Sequence, residues 1–504
     1  RQQRGGDGQC RRSPAQRSHL GLPSMHSLVS AGGRLYSIED RATAEHPALP
    51  GKFALICRDA FNGIELWRHP FADWQPTYMY VKFTPTQLQR QLAAIGDEIY
   101  CTPGLDASIT VFDAATGKVL RRLEGTERTQ EFVYADGVLY VVLGDPYDTL
   151  GTEKAPGGAP LLPAPGTAAV QSRGRALTMG PSAFRREAYG PAISQLADPA
   201  STIVAIDAES GQEIWRLKGD ETKAYEGATL AVRGPNVVYA LKDSLVCVDR
   251  KTGQQRWRVT AEKGPWFEQN AKQRILGNRN KPGKSPGTTL ALVLSDEAVY
   301  MAGCNALWAF SLEDGSPMWE ALTHINHLKS PDLFLVDGVV WTANKRGYDT
   351  RTGELVRDLT QDVIGPMSHD RCYRNRITPR WYINSVTGGS DFLALDGSAE
   401  FPNHWVRATC GIGYLPCNGL LYLGPHSCSC YNMVKLTAFN ALASEPGLKA
   451  SEQPLPLKIV PRVGKGPAFA DSSHSTPSER RDSWPTYRSS RSRGGSTKAV
   501  VSAE

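Results

Sequence analysis

The sequence lacks several features that would place it in a common class. Its 504 residues contain no run of about 18 apolar residues that could span a bilayer, and its ten cysteines form no C-x-x-C, C-x-x-C-H or Cys-Cys motif. The first twenty residues are charged but have no apolar segment after them, so no signal peptide is visible, and we expect any such signal to have preceded Arg1. These absences argue against a membrane-spanning helix, a thioredoxin-like redox motif and covalently attached haem.

The net charge of +6 is concentrated at the two ends of the chain. Residues 1–20 hold five Arg and one Asp, and residues 445–504 hold ten Lys or Arg and six acidic residues. Subtracting these two contributions of +4 each leaves −2 for residues 21–444. Residues 21–444 have no excess of positive charge that would attract a polyanion, so the charge pattern argues against nucleic-acid binding.

An internal repeat is the main feature that is present. Six segments each contain an extended apolar run, an anchor residue, Gly four positions later and often Trp eight positions later. They read CRDAFNGIELW, VFDAATGKVLR, AIDAESGQEIW, CVDRKTGQQRW, AFSLEDGSPMW and GYDTRTGELVR, with the anchors Asp59, Asp113, Asp207, Asp249, Ser311 and Asp349. Two weaker copies centre on Asp396 and Asn440. A basic period of about forty residues is typical of a β-propeller with one four-stranded blade per repeat.

The anchor and the glycine of each repeat have defined roles in a hairpin turn. Asp at the head of a tight turn accepts backbone N–H bonds, and the glycine adopts the positive φ that a bulged hairpin turn requires. We predict that these turns join the third strand of each blade to the fourth, where the tryptophans cover the neighbouring blade. The tryptophans are Trp67, Trp215, Trp257 and Trp319. The turn residues are Asp59 and Gly63, Asp113 and Gly117, Asp207 and Gly211, Asp249 and Gly253, and Asp349 and Gly353.

These repeats resemble those of the PQQ-binding-like β-propeller proteins, which include quinoprotein alcohol dehydrogenases and bacterial outer-membrane assembly scaffolds. The resemblance covers about residues 24–444. The segments SLVSAGGRLYSIED, RDAFNGIELW, HDRCYRN and NGLLYLGPHSCSCY are similar to a subgroup of bacterial PQQ-repeat proteins. With the eight anchors, the resemblance predicts an all-β, eight-bladed propeller of four-stranded antiparallel blades, of the broad WD40- and YVTN-like shape. It also implies an extracytoplasmic location, periplasmic or secreted.

We divide the chain into three parts. Residues 1–23 are an irregular N-terminal segment, residues 24–444 are the propeller, and residues 445–504 are a tail expected to be disordered from its Ser, Arg and Pro content. The last blade shows three strands but no clear fourth, and residues 1–23 lack the alternation to donate one, so we expect incomplete closure. In the tail, DSWPTYR resembles the opening of a second propeller, which we expect to follow Glu504.

The long connections are predicted to share one face of the propeller, which we call the insertion-bearing face. Residues 41–51 and 145–200 fall between second and third strands, while 261–288 and 360–374 fall between blades. In a four-stranded antiparallel blade these two kinds of connection leave from the same face, and the D-x-x-[TS]-G turns leave from the other. Loops of this kind, positioned by a rigid scaffold, are common binding sites.

The heptapeptide PHSCSCY places one histidine and two cysteines at alternate positions after the second strand of the last blade. Residues two apart on an extended strand lie about 6.6 Å apart, so the loop must curl if the three are to bind one zinc or iron ion. The candidate ligands are His426, Cys428 and Cys430, with Cys372, Cys410 or His369 as the fourth. The alternatives are small residues packed under the insertions, with or without a disulfide, and a redox-active thiol pair.

Two functions fit the sequence. A PQQ-dependent dehydrogenase of alcohols or sugars needs PQQ with calcium and a carboxylate base, but the repeated Asp residues are better explained as turn caps. A binding or scaffold module for a protein, peptide or glycan partner needs only a broad rigid face. We therefore predict a scaffold with no catalytic residue and no required cofactor, and keep the dehydrogenase as the alternative. The residues of a cofactor site and the oligomeric state stay undetermined.

Overall fold

The computed structural model describes residues 24–41, 52–71, 86–104, 107–144, 201–241, 244–260, 290–303, 306–323, 331–359, 374–384, 389–403, 406, 408, 412–424 and 439–443. Within these ranges the chain forms eight antiparallel sheets and two short 3₁₀ helices, Thr86–Gln91 and Gly219–Glu221. Neither helix has the length or apolar character needed to cross a membrane. The sheets are the blades of an eight-bladed β-propeller, which confirms the predicted fold class.

The first four blades have four strands each, paired in chain order. Blade 1 contains β1 (Ser24–Ala31), β2 (Arg34–Asp40), β3 (Phe53–Asp59) and β4 (Glu65–Pro70). Blade 2 contains β5 (Leu92–Ile95), β6 (Glu98–Cys101), β7 (Ile109–Asp113) and β8 (Val119–Leu123). Blade 3 contains β9 (Thr129–Ala135), β10 (Val138–Leu143), β11 (Thr202–Asp207) and β12 (Glu213–Leu217). Blade 4 contains β13 (Ala231–Arg233), β14 (Asn236–Ala240), β15 (Ser244–Asp249) and β16 (Gln255–Thr260).

Among the described residues, three of the remaining blades have four strands and the last has three. Blade 5 contains β17 (Ala291–Leu294), β18 (Ala298–Ala302), β19 (Ala306–Ser311) and β20 (Pro317–Leu322). Blade 6 contains β21 (Leu333–Val336), β22 (Val339–Thr342), β23 (Arg346–Asp349) and β24 (Leu355–Asp358). Blade 7 contains β25 (Arg376–Ile377), β26 (Trp381–Asn384), β27 (Asp391–Ala394) and β28 (Glu400–Phe401). Blade 8 contains β29 (Tyr414–Cys417), β30 (Leu420–Leu423) and β31 (Asn440–Ala443).

The core is divided among the junctions between neighbouring blades. Each of the eight junctions has its own cluster of buried apolar side chains, because the two faces of every sheet pack against the sheets on either side. The last of these clusters packs Tyr422 of blade 8 against Leu35 and Ala60 of blade 1. The ring is therefore closed by contacts between its first and last blades.

The turns between third and fourth strands share one geometry. In blade 2, Asp113 Oδ1 accepts a hydrogen bond from the Thr116 backbone N–H at 2.7 Å, and the Gly117 N–H donates to the Asp113 carbonyl at 2.9 Å. Gly117 has φ +71°, a value that a side chain would strain. In blades 1 to 6 the strand register also shifts near the turn, as a β-bulge requires. The spacing of anchor and glycine in the sequence reflects this bulged turn.

The strand pairing of blade 3 shows where the connection between β10 and β11 leaves the sheet. Leu143, the last residue of β10, pairs with Thr202 in β11 and with Thr129 at the start of β9. That connection therefore leaves the blade at the end where its first strand begins. This end belongs to the insertion-bearing face, and the turn between β11 and β12 lies at the opposite end.

Candidate functional site

A buried charged cluster lies at the insertion-bearing end of β9. The Glu131 carboxylate is fully buried and accepts three hydrogen bonds. Tyr225 Oη donates to Oε1 at 2.7 Å, the Ala228 backbone N–H donates to Oε1 at 2.6 Å, and Arg90 Nη1 donates to Oε2 at 3.1 Å. Arg90 precedes blade 2, Glu131 belongs to blade 3, and Tyr225 and Ala228 precede blade 4. The Arg90–Glu131–Tyr225 cluster thus links three consecutive blades.

The backbone around this cluster is strained. Arg128, Ala224 and Ala228 have φ values of +60°, +61° and +63°, which residues with a side chain rarely adopt. The other described non-glycine residues with positive φ lie away from this site. Such strain persists only where surrounding contacts hold it, and it is concentrated at functional sites in many proteins. The contacts of Glu131 with Ala228 and Tyr225 supply that restraint here.

The same region fixes both ends of the connection that follows β10. The Gly144 N–H donates to the Arg128 carbonyl at 3.0 Å, and Thr222 Oγ1 donates to the carbonyl of Ser201. Thr222 is fully buried. The two points where this connection meets blade 3 are therefore held by the residues that flank the Arg90–Glu131–Tyr225 cluster.

A second buried cluster occupies the corresponding end of blades 6 and 7. Asp332, just before β21, accepts from Arg374 Nε at 2.9 Å and from the Asn375 N–H at 3.1 Å. Tyr382 Oη donates to the Thr342 carbonyl at 2.9 Å. Asn375 Nδ2 in turn donates to Tyr382 Oη at 2.9 Å. This Asp332–Arg374 cluster ties the start of blade 7 to the start of blade 6.

Arg376 extends that network to blade 8. Its Nε donates to the Tyr414 carbonyl at 3.1 Å, and Nη2 donates to the carbonyl of Ile412. Burial, with the nearby charge of Arg374, lowers the pKa of Arg376 to about 10, so the guanidinium stays charged at neutral pH. Each cluster therefore joins the insertion-bearing ends of three consecutive blades.

The chemistry of both clusters favours a structural role. Burial, together with the charge of Glu131, raises the pKa of Tyr225 well above its usual value, so Tyr225 stays protonated and donates to the carboxylate. Burial raises the pKa of Tyr382 in the same way. Glu131 and Asp332 already accept from charged and neutral donors, which leaves neither carboxylate available as a general base. The clusters hold backbone in place rather than exchange protons.

The sequence-predicted metal ligands lie outside the described residues. They are His426, Cys428, Cys430, Cys372, Cys410 and His369. Within the described ranges, no group of three or more His, Cys, Asp or Glu side chains is arranged to hold a metal ion. The described cysteines Cys57, Cys101, Cys247 and Cys417 are free thiols. The metal-site hypothesis therefore stays a prediction.

PQQ with calcium, the cofactor implied by the repeat family, was tested against the same residues. A calcium site requires several oxygen ligands around one ion, and the carboxylates of Glu131 and Asp332 are instead held by arginine and backbone donors. The Glu131 and Asp332 carboxylates therefore do not fit a calcium-binding group. We derive no catalytic step through PQQ.

The two clusters were not among the residues singled out from the sequence. The signal is nevertheless present, because Glu131 directly precedes the apolar strand segment FVYA, and Asp332 directly precedes the apolar run LFLV. A charged residue at a predicted buried position usually has a partner. Its partners here come from residues 41 to 97 positions away, so sequence spacing does not reveal them.

Comparison with known proteins gave one family match. A PQQ-repeat family model, described as outer membrane protein assembly factor BamB, matches residues 199–362. No curated protein matches the chain.

Several solved structures share the propeller shape at low sequence identity. The computationally designed Ika8 protein has 11% identity and a TM-score of 0.46, covering 80% of this chain and 93% of its own. BamB from Moraxella catarrhalis has 12% identity and a TM-score of 0.40, with coverages of 79% and 90%. Quinohemoprotein alcohol dehydrogenase ADHIIG from Pseudomonas putida HK5 has 14% identity and a TM-score of 0.32, with coverages of 66% and 50%.

The matched residues begin just before β11 and extend just past β24, so they include four of the repeated turns. Their anchors are Asp207, Asp249, Ser311 and Asp349. The anchor-to-glycine spacing and the bulged turn are the same in blades 1 and 2, which lie outside the match. Residues 199–362 match a PQQ-repeat family model, and the chain is an eight-bladed β-propeller.

Proposed function

We propose that this chain is a binding or scaffold module whose insertion-bearing face takes a protein, peptide or glycan partner. The observation that carries the proposal is the pair of buried clusters on that face. The Arg90–Glu131–Tyr225 and Asp332–Arg374 clusters each join three consecutive blades, which makes the bases of the connections rigid. A rigid base that presents variable connections is the usual design of a recognition surface.

The family match supports the same proposal. The matched model describes an outer membrane protein assembly factor, which is a protein that acts on other proteins. By that analogy we propose an extracytoplasmic location for this chain. Fold analogy alone does not determine function, so the face itself has to be tested.

A charge-reversal pair on opposite faces tests the proposal. Lys223 is exposed between blades 3 and 4 on the insertion-bearing face, while Lys251 is exposed in a turn on the opposite face. The probes are an array of extended peptides and an array of glycans. We expect Lys223→Glu to change binding to one of the arrays while Lys251→Glu leaves it unchanged. Equal effects of the two substitutions, or no binding to either array, would contradict the proposal.

The alternative function, a PQQ-dependent dehydrogenase, has a direct assay. Purified protein is mixed with PQQ and calcium, and dye reduction is measured with alcohols and sugars as substrates. The scaffold proposal predicts no turnover. Substrate-dependent dye reduction would contradict the scaffold proposal and support the dehydrogenase.

We also propose that His426, Cys428 and Cys430 contribute to a structural zinc or iron site, with Cys372 or Cys410 as the fourth ligand. Such a site would hold the binding face rather than catalyse a reaction. Elemental analysis of protein purified without added metal, beside a Cys428→Ser/Cys430→Ser variant, tests this. Stoichiometric metal that the variant loses is the expected result, and the absence of metal from both proteins would remove the site.

A further inference from the structure

In blades 1 to 5 the outer strand docks onto the next blade through the residue eight positions after the anchor. In blade 1 this residue is Trp67, whose Nε1 donates to the Ala114 carbonyl of blade 2 at 3.1 Å. Its ring also covers the turn glycine of blade 2, because a Cβ added to Gly117 would lie 2.5 Å from the ring. We call a turn covered when an outer strand packs over its glycine in this way. The docking residue is thus committed to the contact between blades.

The residues on either side of the docking residue are turned outward. In blade 1 they are Leu66, which is 46% exposed, and Arg68, which is also exposed. Leu66 is the extra residue of the β-bulge in this strand, and the corresponding residues of blades 2 to 6 are the extra residues of theirs. We call these two positions, seven and nine residues after the anchor, the rim positions. Blades 1 to 6 thus repeat the same two positions at the outer edge of the ring.

The first rim position is apolar in five of the six blades. These side chains are between 38% and 50% exposed. They are Leu66, Leu120, Ile214, Met318 and Val356, and blade 4 has Arg256 instead. Exposed apolar side chains that recur at one position, rather than being scattered singly, indicate an interaction surface.

The second rim position divides the ring by charge. Blades 1 to 4 have an arginine there, and blades 5 and 6 have a carboxylate. The arginines are Arg68, Arg122, Arg216 and Arg258, and the acidic residues are Glu320 and Asp358. All are exposed except Arg258, which is half-buried. We call the rim positions of blades 1 to 4 the basic rim and those of blades 5 and 6 the acidic rim.

The surroundings of Arg122 and Glu320 leave their charges available to a partner. Arg68 and Arg216 each pair with a glutamate three residues earlier in the same strand. Within the described part of the chain, Arg122 and Glu320 form no such ion pair. Arg122 instead lies near His69 of blade 1, whose pKa is lowered by burial and then by the positive charge of Arg122. The basic rim therefore has its clearest positive charge in blade 2.

From this pattern we infer that the protein associates with further copies of itself, with the basic rim of one copy against the acidic rim of the next. The apolar residues at the first rim position of the two copies pack together. The arginines at the second position pair with Glu320 and Asp358 of the next copy. Such a contact joins two different surfaces, so it is heterologous and extends to rings or filaments. The rims lie between the insertion-bearing face and the turns opposite, so this inference does not depend on the proposed function.

A second copy fits the basic rim better than the ends of the same chain do. Residues 1–20, with five Arg and one Asp, and residues 445–504, with ten Lys or Arg and six acidic residues, each have a net charge of +4. That charge has the same sign as the basic rim. A second copy instead supplies an exposed apolar residue and a carboxylate at the spacing of the rim itself, as in Met318 and Glu320. Opposite charges at matched positions both attract and set the register of a contact.

Sedimentation of the purified full chain over a range of concentrations is the first test. We expect the weight-average mass to rise above that of one chain as concentration increases, and to fall when salt is added, because salt screens surface charges. Arg122→Glu should raise the dissociation constant of self-association at least about tenfold. Lys251→Glu, an equal change of charge in an exposed turn, should leave it unchanged. The mass of one chain at every concentration, as when an end of the chain occupies a rim, or equal weakening by both substitutions would contradict the inference.

A mixture of two variants, each with one altered rim, gives the sharper test. Arg122→Glu alters the basic rim and keeps the acidic rim, and Glu320→Arg does the reverse. Both side chains are exposed, so both variants should fold. At a concentration at which each variant alone is monomeric, a one-to-one mixture should form a complex of two or more chains, because each variant keeps the rim that the other needs. A mixture that stays as monomeric as its two components would overturn the inference.

Discussion

The junction between blades 4 and 5 and the junction between blades 8 and 1 join the same kind of sheet by different means. Between blades 4 and 5, thirteen buried residues form the apolar cluster, including Trp257 and Trp308. Among the described residues, the cluster between blades 8 and 1 has three buried members, Leu35, Ala60 and Tyr422, with five partly buried apolar side chains packed against them. The first junction depends on apolar burial, which the repeated sequence supplies. At the second, the described residues combine a smaller buried cluster with polar contacts.

A buried ion pair occupies the face that blade 1 turns toward blade 8. Arg58 donates to both carboxylate oxygens of Glu39, with the Nη2–Oε2 distance at 3.1 Å, and Ser37 Oγ donates to the same carboxylate. The Arg58 guanidinium lies 5.3 Å from the ring centre of Phe439 in blade 8. The junction between blades 8 and 1, where the sequence repeat is least regular, therefore contains a buried ion pair beside its apolar cluster. A pair of this kind is sensitive to the loss of either partner.

The largest effect is expected at the apolar junction. Replacing Trp257 by alanine removes a ring that is 7% exposed, packs over Gly315 and donates to the Leu312 carbonyl. We expect the free energy of unfolding to fall by about 3–5 kcal/mol, measured by urea denaturation. Trp257→Phe is the control, because it keeps most of the ring and loses the hydrogen bond, with an expected cost of about 1 kcal/mol. A similar, small cost for both variants would show that packing does not hold this junction.

At the closing junction, Arg58→Ala should be almost as destabilising, although it removes little apolar packing. The substitution removes the close cation of the buried Glu39 carboxylate and leaves Arg41, which is partly exposed and 3.6 Å away, at a cost of about 3 kcal/mol. The double variant Arg58→Met/Glu39→Leu is the control, because it removes both charges and keeps apolar volume. We expect it to be more stable than Arg58→Ala. If the double variant is the less stable of the two, the ion pair is not what matters at this junction.

Removal of the hydroxyl groups of Tyr422 and Tyr36 should lower the free energy of unfolding by different, smaller amounts. Tyr422→Phe removes the described side-chain donor to the Ala60 carbonyl, whereas Tyr36→Phe leaves the Ala114 carbonyl bonded to Trp67. We expect a cost of about 1 kcal/mol for Tyr422→Phe and less for Tyr36→Phe, from thermal or urea unfolding. The reverse order would mean that the closing junction does not depend on this hydrogen bond.

The sequence predicted the parts of the fold that repeat locally. The anchor, the glycine four positions later and the tryptophan eight positions later lie within one hairpin, so they are visible in one stretch of chain, as in Asp249, Gly253 and Trp257. The hairpins formed by the first and second strands of each blade were also predicted, because each lies within one short stretch of chain. Blade 8 was also predicted with three strands, and three are described, although its third strand begins at Asn440, later than the segment KLTAFNA suggested.

The site was harder to predict because its contacts are not local. Glu131 is held by Arg90 and Tyr225, which are 41 and 94 residues away. Arg58 and Glu39 lie on adjacent strands separated by a long connection. In each case the chain spacing carries no signal: contacts between blades bring the partners of Glu131 together, and strand pairing within blade 1 brings Arg58 to Glu39. The lack of a described cover at Gly63 is likewise not visible in its anchor-to-glycine spacing, which is the same as in the covered turns.

The most direct test of the difference between covered and uncovered turns compares Gly353→Ala with Gly63→Ala. Both glycines have φ +72°, so the backbone strain of an added Cβ is the same at the two sites. At Gly353 the Cβ would also lie 2.6 Å from the Trp319 ring, whereas at Gly63 no described atom is within 4 Å. In urea denaturation of the purified chain, Gly353→Ala should therefore cost at least about 1 kcal/mol more than Gly63→Ala. Equal costs would contradict the account, because they would mean that the Gly63 turn is covered as the others are.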